Sequence, residues 1–429
     1  VIAELFDSVG NRAMLVALTC NASCALVGCY LVLRRVSLMG DALSHAVLPG
    51  LVIAFVVSGS SGPIPMFLGA LAAGIATTFL TQAVQRFGRL APDASLGVVY
   101  TTLFAIGVLL VKRYFSEDRI HFDIACVYEG SLQQVALDTF DVGGAELPYA
   151  MLAAGPVLLV VVACLLLFCK ELKISSFDPT LADTLGLAPG RMHYLLMLLV
   201  SLATVTSFEA IGSILVVAML IAPAAAAQLL VNRLAPMLLT SVALSAVATV
   251  AGYRAAVLWN VSPSGAIAVT AGLLYLLAAL FSPTEGALNR LLNNARLALR
   301  VRREDVLASL YRRGEAADAA PVTYTAARES AGGGLFAGLA ISQLVRSGHV
   351  RRRGDELLLT DLGQSAAAEL VRAHRLWESY LVDRVGIQTD HVHDAAHVME
   401  HVLDEGIREQ IANQLGVATD PHGKEIPRQ

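Results

Sequence analysis

Nine apolar runs, at 13–33, 47–57, 65–79, 96–111, 150–168, 194–206, 211–231, 237–251 and 267–281, leave the first two thirds of this chain few ways to fold. A bilayer core about 30 Å thick is crossed by about 20 apolar residues in a helix, and most of the runs approach that length. They predict eight or nine transmembrane helices. Composition agrees, with 56% hydrophobic and only 15% charged residues, outside the range of soluble domains. The first run is too long, and lacks the basic lead-in, to be a cleaved signal peptide, so it is expected to stay in the membrane.

Basic residues collect at particular run ends: Arg34 and Arg35, then the stretches 85–89, 170–173, 232–233 and 290–303. The positive-inside rule puts those ends in the cytoplasm, and with them the carboxyl-terminal region. A bacterial inner membrane is the expected location. Lys112, Arg113 and Arg119 break the alternation, which leaves room for one shorter segment to be re-entrant. Of the six cysteines, Cys20, Cys24, Cys29, Cys126, Cys164 and Cys169, nearly all lie in apolar runs without a CxxC pair. Packing explains them better than disulfides or a thiolate metal site.

One polar pair interrupts the apolar sequence. In 35–50, RVSLMGDALSHAVLPG, Asp41 and His45 stand one helical turn apart. Ionisable residues within membrane segments usually line a cavity or an ion path, although a structural Asp–His hydrogen bond is the plainer alternative. Pro49-Gly50 is expected to break the helix just past the pair.

Composition changes after Pro283, giving a membrane domain over 1–285, a helix and linker over 286–321 and a soluble domain over 322–429. From 315 onward there are 11 Lys and Arg against 17 Asp and Glu, a balance of −6. Helices at 324–330 and 335–347, a hairpin closed at Gly354-Asp355, and a long helix capped by Thr360 or Asp361 and stopped at Gly386 make a winged-helix outline. A further helix is expected from Asp390 to Leu403. On it His393, His397, Glu400 and His401 share one face, as do His374 and Glu378 on the long helix. Imidazole and carboxylate are donors for a divalent transition metal; a solvated polar face is the alternative.

The stretch 359–427, LTDLGQ through the closing Pro-His-Gly-x-x-Ile-Pro, resembles the metal-binding and dimerisation region of the diphtheria toxin repressor family, which includes manganese transport regulators, and the similarity extends back to about Arg303. The resemblance implies one metal site from His374, Glu378 and His393 and another from His397, Glu400 and His401. Asp305 matches an amino-terminal ligand of the manganese-type members, but its acidic companion is replaced by Ala308. Position 397 holds Cys or Glu in other members, so the ligand set is mixed. DNA binding does not follow: the would-be recognition helix offers base edges only Ser342, Gln343 and Arg346, and clustered positive charge is limited mainly to Arg351, Arg352 and Arg353.

Residues 10–282 resemble the permease subunits of ATP-binding-cassette importers for manganese, zinc and iron, most specifically through 35–50. In that family the positions of Asp41 and His45 lie on the metal pathway. FDPTLADTLGL, 177–187, resembles the short coupling helix that docks on the ATPase subunit, with Asp178 as its cap and Phe177 and Leu181 as contacts. AIGSILVVAMLIAPAAAAQLL, 210–230, resembles a later helix rich in small residues; Glu209 before it reads as an interfacial residue or a second pathway carboxylate.

No Gly-x-x-x-x-Gly-Lys-Ser/Thr loop is present, so ATP hydrolysis falls to a separate subunit, and no constellation for an independent enzyme or organic cofactor is found. The expectation is an all-α polytopic membrane protein with a soluble winged-helix and helical metal-binding domain. It would carry Mn²⁺ or Fe²⁺, or Zn²⁺, received from an extracytoplasmic binding protein, and pair with a second permease chain. A membrane-tethered transcription regulator, a tail that only dimerises, and an importer of larger chelates are the alternatives.

Overall fold

The computed structural model describes residues 9–59, 63–114, 132–142, 145–283, 286–315, 321–388, 392, 405–415 and 419–427. The chain forms two compact units, Val1–Asn289 and Arg290–Gln429.

The first unit is helical: α1 (Val9–Leu33), α2 (Met39–Ala46), α3 (Leu48–Ser58), α4 (Pro63–Gly88), α5 (Pro92–Tyr114), α6 (Leu132–Val135), α7 (Met151–Leu167), α8 (Cys169–Phe177), α9 (Pro179–Thr184), α10 (Pro189–Ile211), α11 (Ser213–Leu230), α12 (Leu234–Trp259) and α13 (Pro263–Phe281). Among the described residues, eight spans are long and apolar enough to cross a bilayer. A ninth is reached if α7 and α8, bent by 73° at Phe168, act together. One of the eight is α2 with α3, so the run 47–57 is only its second half.

α1, α10 and α11 are the most buried spans, because their small residues admit close neighbours. A Cβ on Gly28 of α1 would fall on the Leu220 carbonyl of α11. Polar contacts run along α1 against α12: Asn21 Nδ2 donates to Thr249 Oγ1 at 2.8 Å, Ser241 Oγ to the Ala25 carbonyl at 3.3 Å, and the Cys29 thiol to the Met237 carbonyl at 3.9 Å. Cys20, Cys24 and Cys29 are buried thiols and no disulfide occurs among the described residues; Cys126 lies outside them.

Two features escaped the sequence reading. A short antiparallel hairpin of β1 (Thr139–Val142) and β2 (Ala145–Pro148) pairs Thr139 with Pro148 and Phe140 with Leu147. Arg12 at the start of α1 is ion-paired with Glu146 of β2 at 2.5 Å, so the hairpin is held to α1.

The second unit begins within α14 (Ala287–Gly314) and continues through β3 (Val322–Thr323), α15 (Tyr324–Ser330), α16 (Gly334–Arg346), β4 (Val350–Arg353), β5 (Glu356–Leu359), α17 (Asp361–Tyr380) with a π-helical turn over Leu381–Val385, and α18 (Glu405–Leu415). This is the expected winged helix, with an unexpected third strand: the sheet order is β3-β5-β4. Thr360, not Asp361, caps α17, its hydroxyl accepting from the Gly363 N–H at 3.2 Å. Gly386 ends the helix at φ 76°. The core joins Val306, Leu307 and Leu310 of α14 with Ala337, Ile341 and Leu344 of α16, Val350 and Leu357 of the wing, and Ala367 of α17. The helix expected from Asp390 to Leu403 lies outside the described residues apart from Val392.

Candidate metal pathway and carboxyl-terminal metal centre

α2 is short and amphipathic. It buries Met39, Ala42, Leu43 and Ala46 and turns Asp41 and His45 to the other side. His45 Nε2 lies 3.8 Å from Asp41 Oδ1, with the two side chains 31% and 50% exposed. That separation is too long for a hydrogen bond, so the structural alternative is not realised directly. α5 supplies two aromatic walls around the imidazole: Tyr100 stacks at 6.0 Å between ring centroids and Phe104 meets it edge-on at 5.6 Å. Neither aromatic was singled out by sequence, although both lie in the apolar run 96–111.

The break expected from Pro49-Gly50 falls at Val47. α3 starts at Leu48 with Pro49 in its first turn, and the backbone stays right-handed through Val47. Val47 N donates to the Leu43 carbonyl and Leu51 N to the Val47 carbonyl, both at 3.2 Å. Proline tolerates a first-turn position because its missing N–H is not needed there. The outcome is one span with a one-residue irregularity immediately beyond His45.

The segment resembling a coupling helix folds as α9. Asp178 Oδ1 accepts from the Leu181 N–H at 2.9 Å, Pro179 occupies the first turn, and Phe177, Leu181 and Leu185 are exposed. α8, which leads into it, is fastened to the end of α1 through Arg34. Nε donates to Ser176 Oγ at 2.9 Å, Nη2 to Ser175 Oγ at 2.8 Å, and Nη1 lies 3.4 Å from His193 Nδ1 of α10. Partial burial pulls the Arg34 guanidinium below its ordinary value, yet it remains charged. Sequence marked Arg34 only as a topological charge. Glu209 lies in the last turn of α10.

In the second unit His374 and Glu378 are both buried, one turn apart on α17, with His374 Nε2 2.9 Å from Glu378 Oε1. An imidazole and a carboxylate held together out of water are donors that fit a divalent transition metal, and each also steadies the other. His393, His397, Glu400 and His401 lie outside the described residues. Asp305 is placed on α14, next to the buried Val306. No group of three or more His, Cys, Asp or Glu able to hold a metal occurs among the described residues, so the structure displays part of the expected donor set.

Arg375, beside His374, is the other centre of this unit. Its guanidinium grips both Glu315 oxygens, at 3.0 and 2.6 Å, and donates to the Glu425 carbonyl at 2.5 Å. Asp420 Oδ2 lies 3.4 Å from Nε, while Asp420 Oδ1 accepts from the N–H groups of His422 and Lys424. The closing 421–427 segment is thereby tied to α17. On α16, Leu335, Phe336 and Leu339 are exposed where a DNA reader would present polar groups.

Residues 360–428 match the iron-dependent repressor metal-binding and dimerisation domain. Residues 7–282 match the ABC 3 transport family. Among curated relatives, the manganese transport system membrane protein MntD of Bacillus subtilis (strain 168) is 44% identical over 271 residues, covering 63% of this chain and 91% of that protein. The zinc transport system membrane protein TroD of Treponema pallidum (strain Nichols) is 36% identical over 281 residues, covering 66% and 76%. Among solved structures, PsaBC from Streptococcus pneumoniae in complex with Fab gives a TM-score of 0.56 at 29% identity over 68% of this chain and 98% of that one. The chain is a member of the ABC 3 transport family that also carries an iron-dependent-repressor domain at its carboxyl-terminal end.

Proposed function

We propose that this protein is the permease subunit of an importer that moves a divalent transition metal, Mn²⁺ or Fe²⁺ before Zn²⁺, into the cytoplasm through a pathway that includes Asp41 and His45. The observation that carries this reading is a carboxylate and an imidazole one turn apart in a membrane span, both partly exposed and flanked by Tyr100 and Phe104. Neutral imidazole and carboxylate bind such ions, and two donors alone leave a cation room to pass on. The family relation and the manganese and zinc relatives support the metal class. A second permease chain, homologous or identical, completes the pathway. An extracytoplasmic binding protein delivers the ion, and a separate ATPase subunit contacts Phe177 and Leu181 beside the Asp178 cap.

Charge placement supports nine crossings. Lys112 and Arg113 apart, the basic stretches after α1 and α4, within α8, and after α11 and α13 fall on one side only if α7 crosses the bilayer and brings α8 to that side, which is the cytoplasm by the positive-inside rule. The carboxyl-terminal unit is then cytoplasmic, and protease should digest it in inverted membrane vesicles but not in right-side-out ones.

The carboxyl-terminal unit senses cytosolic metal through His374, Glu378, His393, His397, Glu400, His401 and Asp305 and shifts the dimer toward a non-transporting state. Such feedback needs different metal affinities in the two states. The exposed apolar face of α16 favours this over a membrane-tethered regulator of transcription.

Metal uptake by the chain reconstituted with its ATPase tests the pathway. Asp41→Asn and His45→Ala should abolish uptake while the assembled complex still hydrolyses ATP; undiminished uptake in both would overturn it. Removal of residues 315–429 tests the feedback separately. Identical metal-response curves with and without that segment would leave the tail a structural dimerisation module.

A further inference from the structure

The first half of α14 has a leucine face that neither core uses. Leu288, Leu291 and Leu292 are 42%, 66% and 46% exposed, whereas Val306, Leu307 and Leu310 of the second half are buried in the carboxyl-terminal core. At the helical period Leu288, Leu291, Leu292, Ala295 and Leu299 fall on one face, while Asn289, Asn293, Arg296 and Arg300 fall on the other, with Leu297 the one apolar exception there. Residues 287–300 carry Arg290, Arg296 and Arg300 and no carboxylate; Arg300 Nε also donates to Glu304 one turn on, at 2.9 Å, and Arg302 beyond it is bonded to the Ala331 carbonyl of the carboxyl-terminal unit.

The way the chain enters this helix fixes where it starts. α13 ends at Phe281 and α14 begins at Ala287. Between them Ser282 Oγ donates to the Leu229 carbonyl at the end of α11, at 2.5 Å. The Gly286 N–H donates to the Ser282 carbonyl at 3.0 Å, and Asn289 Nδ2 to the Pro283 carbonyl at 2.6 Å. A Cβ on Gly286 would fall on the Ser282 carbonyl oxygen, so the turn is tight enough to require glycine. The amphipathic helix therefore opens at the end of the last span, pinned to the end of a neighbouring span.

We infer that residues 287–300 lie in the headgroup layer of an anionic phospholipid bilayer, with the leucines toward the acyl chains and the arginines toward lipid phosphates. An arginine-bearing amphipathic helix next to a span matches the charge and apolar face such a surface recognises. A second copy of the chain is a poorer occupant: it would cover the leucines but offer nothing to the arginine-bearing face, whereas an anionic surface meets both. The leaflet assignment rests on the proposed cytoplasmic position of this end; contact with lipid does not.

The test uses the full chain with Trp259→Phe and Trp377→Phe, its two native tryptophans, and a single tryptophan introduced by Leu292→Trp or by Asn293→Trp. Each is placed in nanodiscs of phosphatidylcholine, with or without phosphatidylglycerol, containing acyl-brominated lipid. L292W should lose its emission in the phosphatidylglycerol discs while N293W keeps it, and high salt or pure phosphatidylcholine should restore L292W. Equal quenching at the two positions, or none at either, overturns the inference, as does quenching indifferent to lipid charge and salt. A second reading needs no substitution: hydroxyl-radical oxidation of Leu291 and Leu292 in the native chain should fall in phosphatidylglycerol discs relative to amphipol. Undiminished oxidation also overturns it and would point to a protein partner. Nanodiscs expose both leaflets alike, so these outcomes do not depend on orientation, which the protease experiment reads independently.

Discussion

Arg34 donates from Nη2 to Ser175 Oγ at 2.8 Å, and this bond, with those to Ser176 and His193, makes one polar joint of the end of α1, α8 and the start of α10. α8 runs into α9, and α1 leads through residues 34–38 into α2. A displacement of α9 thus has a short covalent and hydrogen-bonded route to Asp41 and His45.

Arg34→Ala should uncouple the two ends of that route. Hydrogen bonds to a charged group contribute about 1.5–3 kcal/mol each, and loss of that order at the joint corresponds to about a 10- to 100-fold drop in uptake per ATP hydrolysed. Uptake and ATPase rates measured on the same proteoliposomes check this. Ser175→Ala/Ser176→Ala should reproduce part of the defect and add little to Arg34→Ala, because the three residues act as one unit. Parallel loss of both rates would instead indicate a folding defect.

Gly28 sets the approach of α1 to α11. Alanine there puts a methyl group onto the Leu220 backbone, which cannot rotate away as a side chain could. The helices must separate, at a cost of about 1–3 kcal/mol or more. Gly28→Ala should lower the thermal midpoint and the monodisperse fraction in detergent, and Gly28→Val should do so further. A variant as stable as the parent would show that the α1–α11 contact adjusts freely.

What could be read in advance follows from how local each signal is. Spans declare themselves because lipid demands continuous apolar sequence, and the winged helix because its caps, Gly386 stop and Gly354 turn act within a few residues. The β1–β2 hairpin was missed because its strands have four residues each and depend on Arg12, more than 120 residues away, for attachment. Strand β3, two residues long, exists only by pairing with β5. At the candidate sites the donors were visible as residue types one turn apart. Tyr100 and Phe104, Arg34's serines and the Arg375 cluster were not, since packing between distant elements creates them. The break falls at Val47, two residues before Pro49, because proline joins the start of the new helix instead of ending the old one.

The aromatic walls beside His45 should matter to metal affinity without being ligands. Edge and stacked ring contacts contribute about 0.5–1.5 kcal/mol, so Phe104→Ala should raise the half-saturating metal concentration about 2- to 10-fold with maximal uptake largely kept. Asp41→Asn should remove uptake altogether. Initial-rate uptake over a metal series separates the two behaviours, and an unchanged half-saturation in Phe104→Ala would make the ring a packing element only.

Arg375 should be among the most costly residues to remove in the second unit. It is 4% exposed, and its loss strands Asp420, whose side chain is 3% exposed, and frees the Glu425 carbonyl from the closing segment. Breaking a buried pair by deleting one partner costs about 3–5 kcal/mol. Glu315, with a side chain 34% exposed, should cost only about 1 kcal/mol as alanine, because water screens its charge. Arg375→Lys keeps the charge but not the planar fork that grips two Glu315 oxygens, and should fall between. Denaturant unfolding followed at Trp377, two residues along α17, in a Trp259→Phe background gives the order. If Arg375→Ala and Arg375→Lys were equally damaging, the fork geometry would be what holds the 421–427 segment in place. If Arg375→Lys matched the parent, charge alone would suffice.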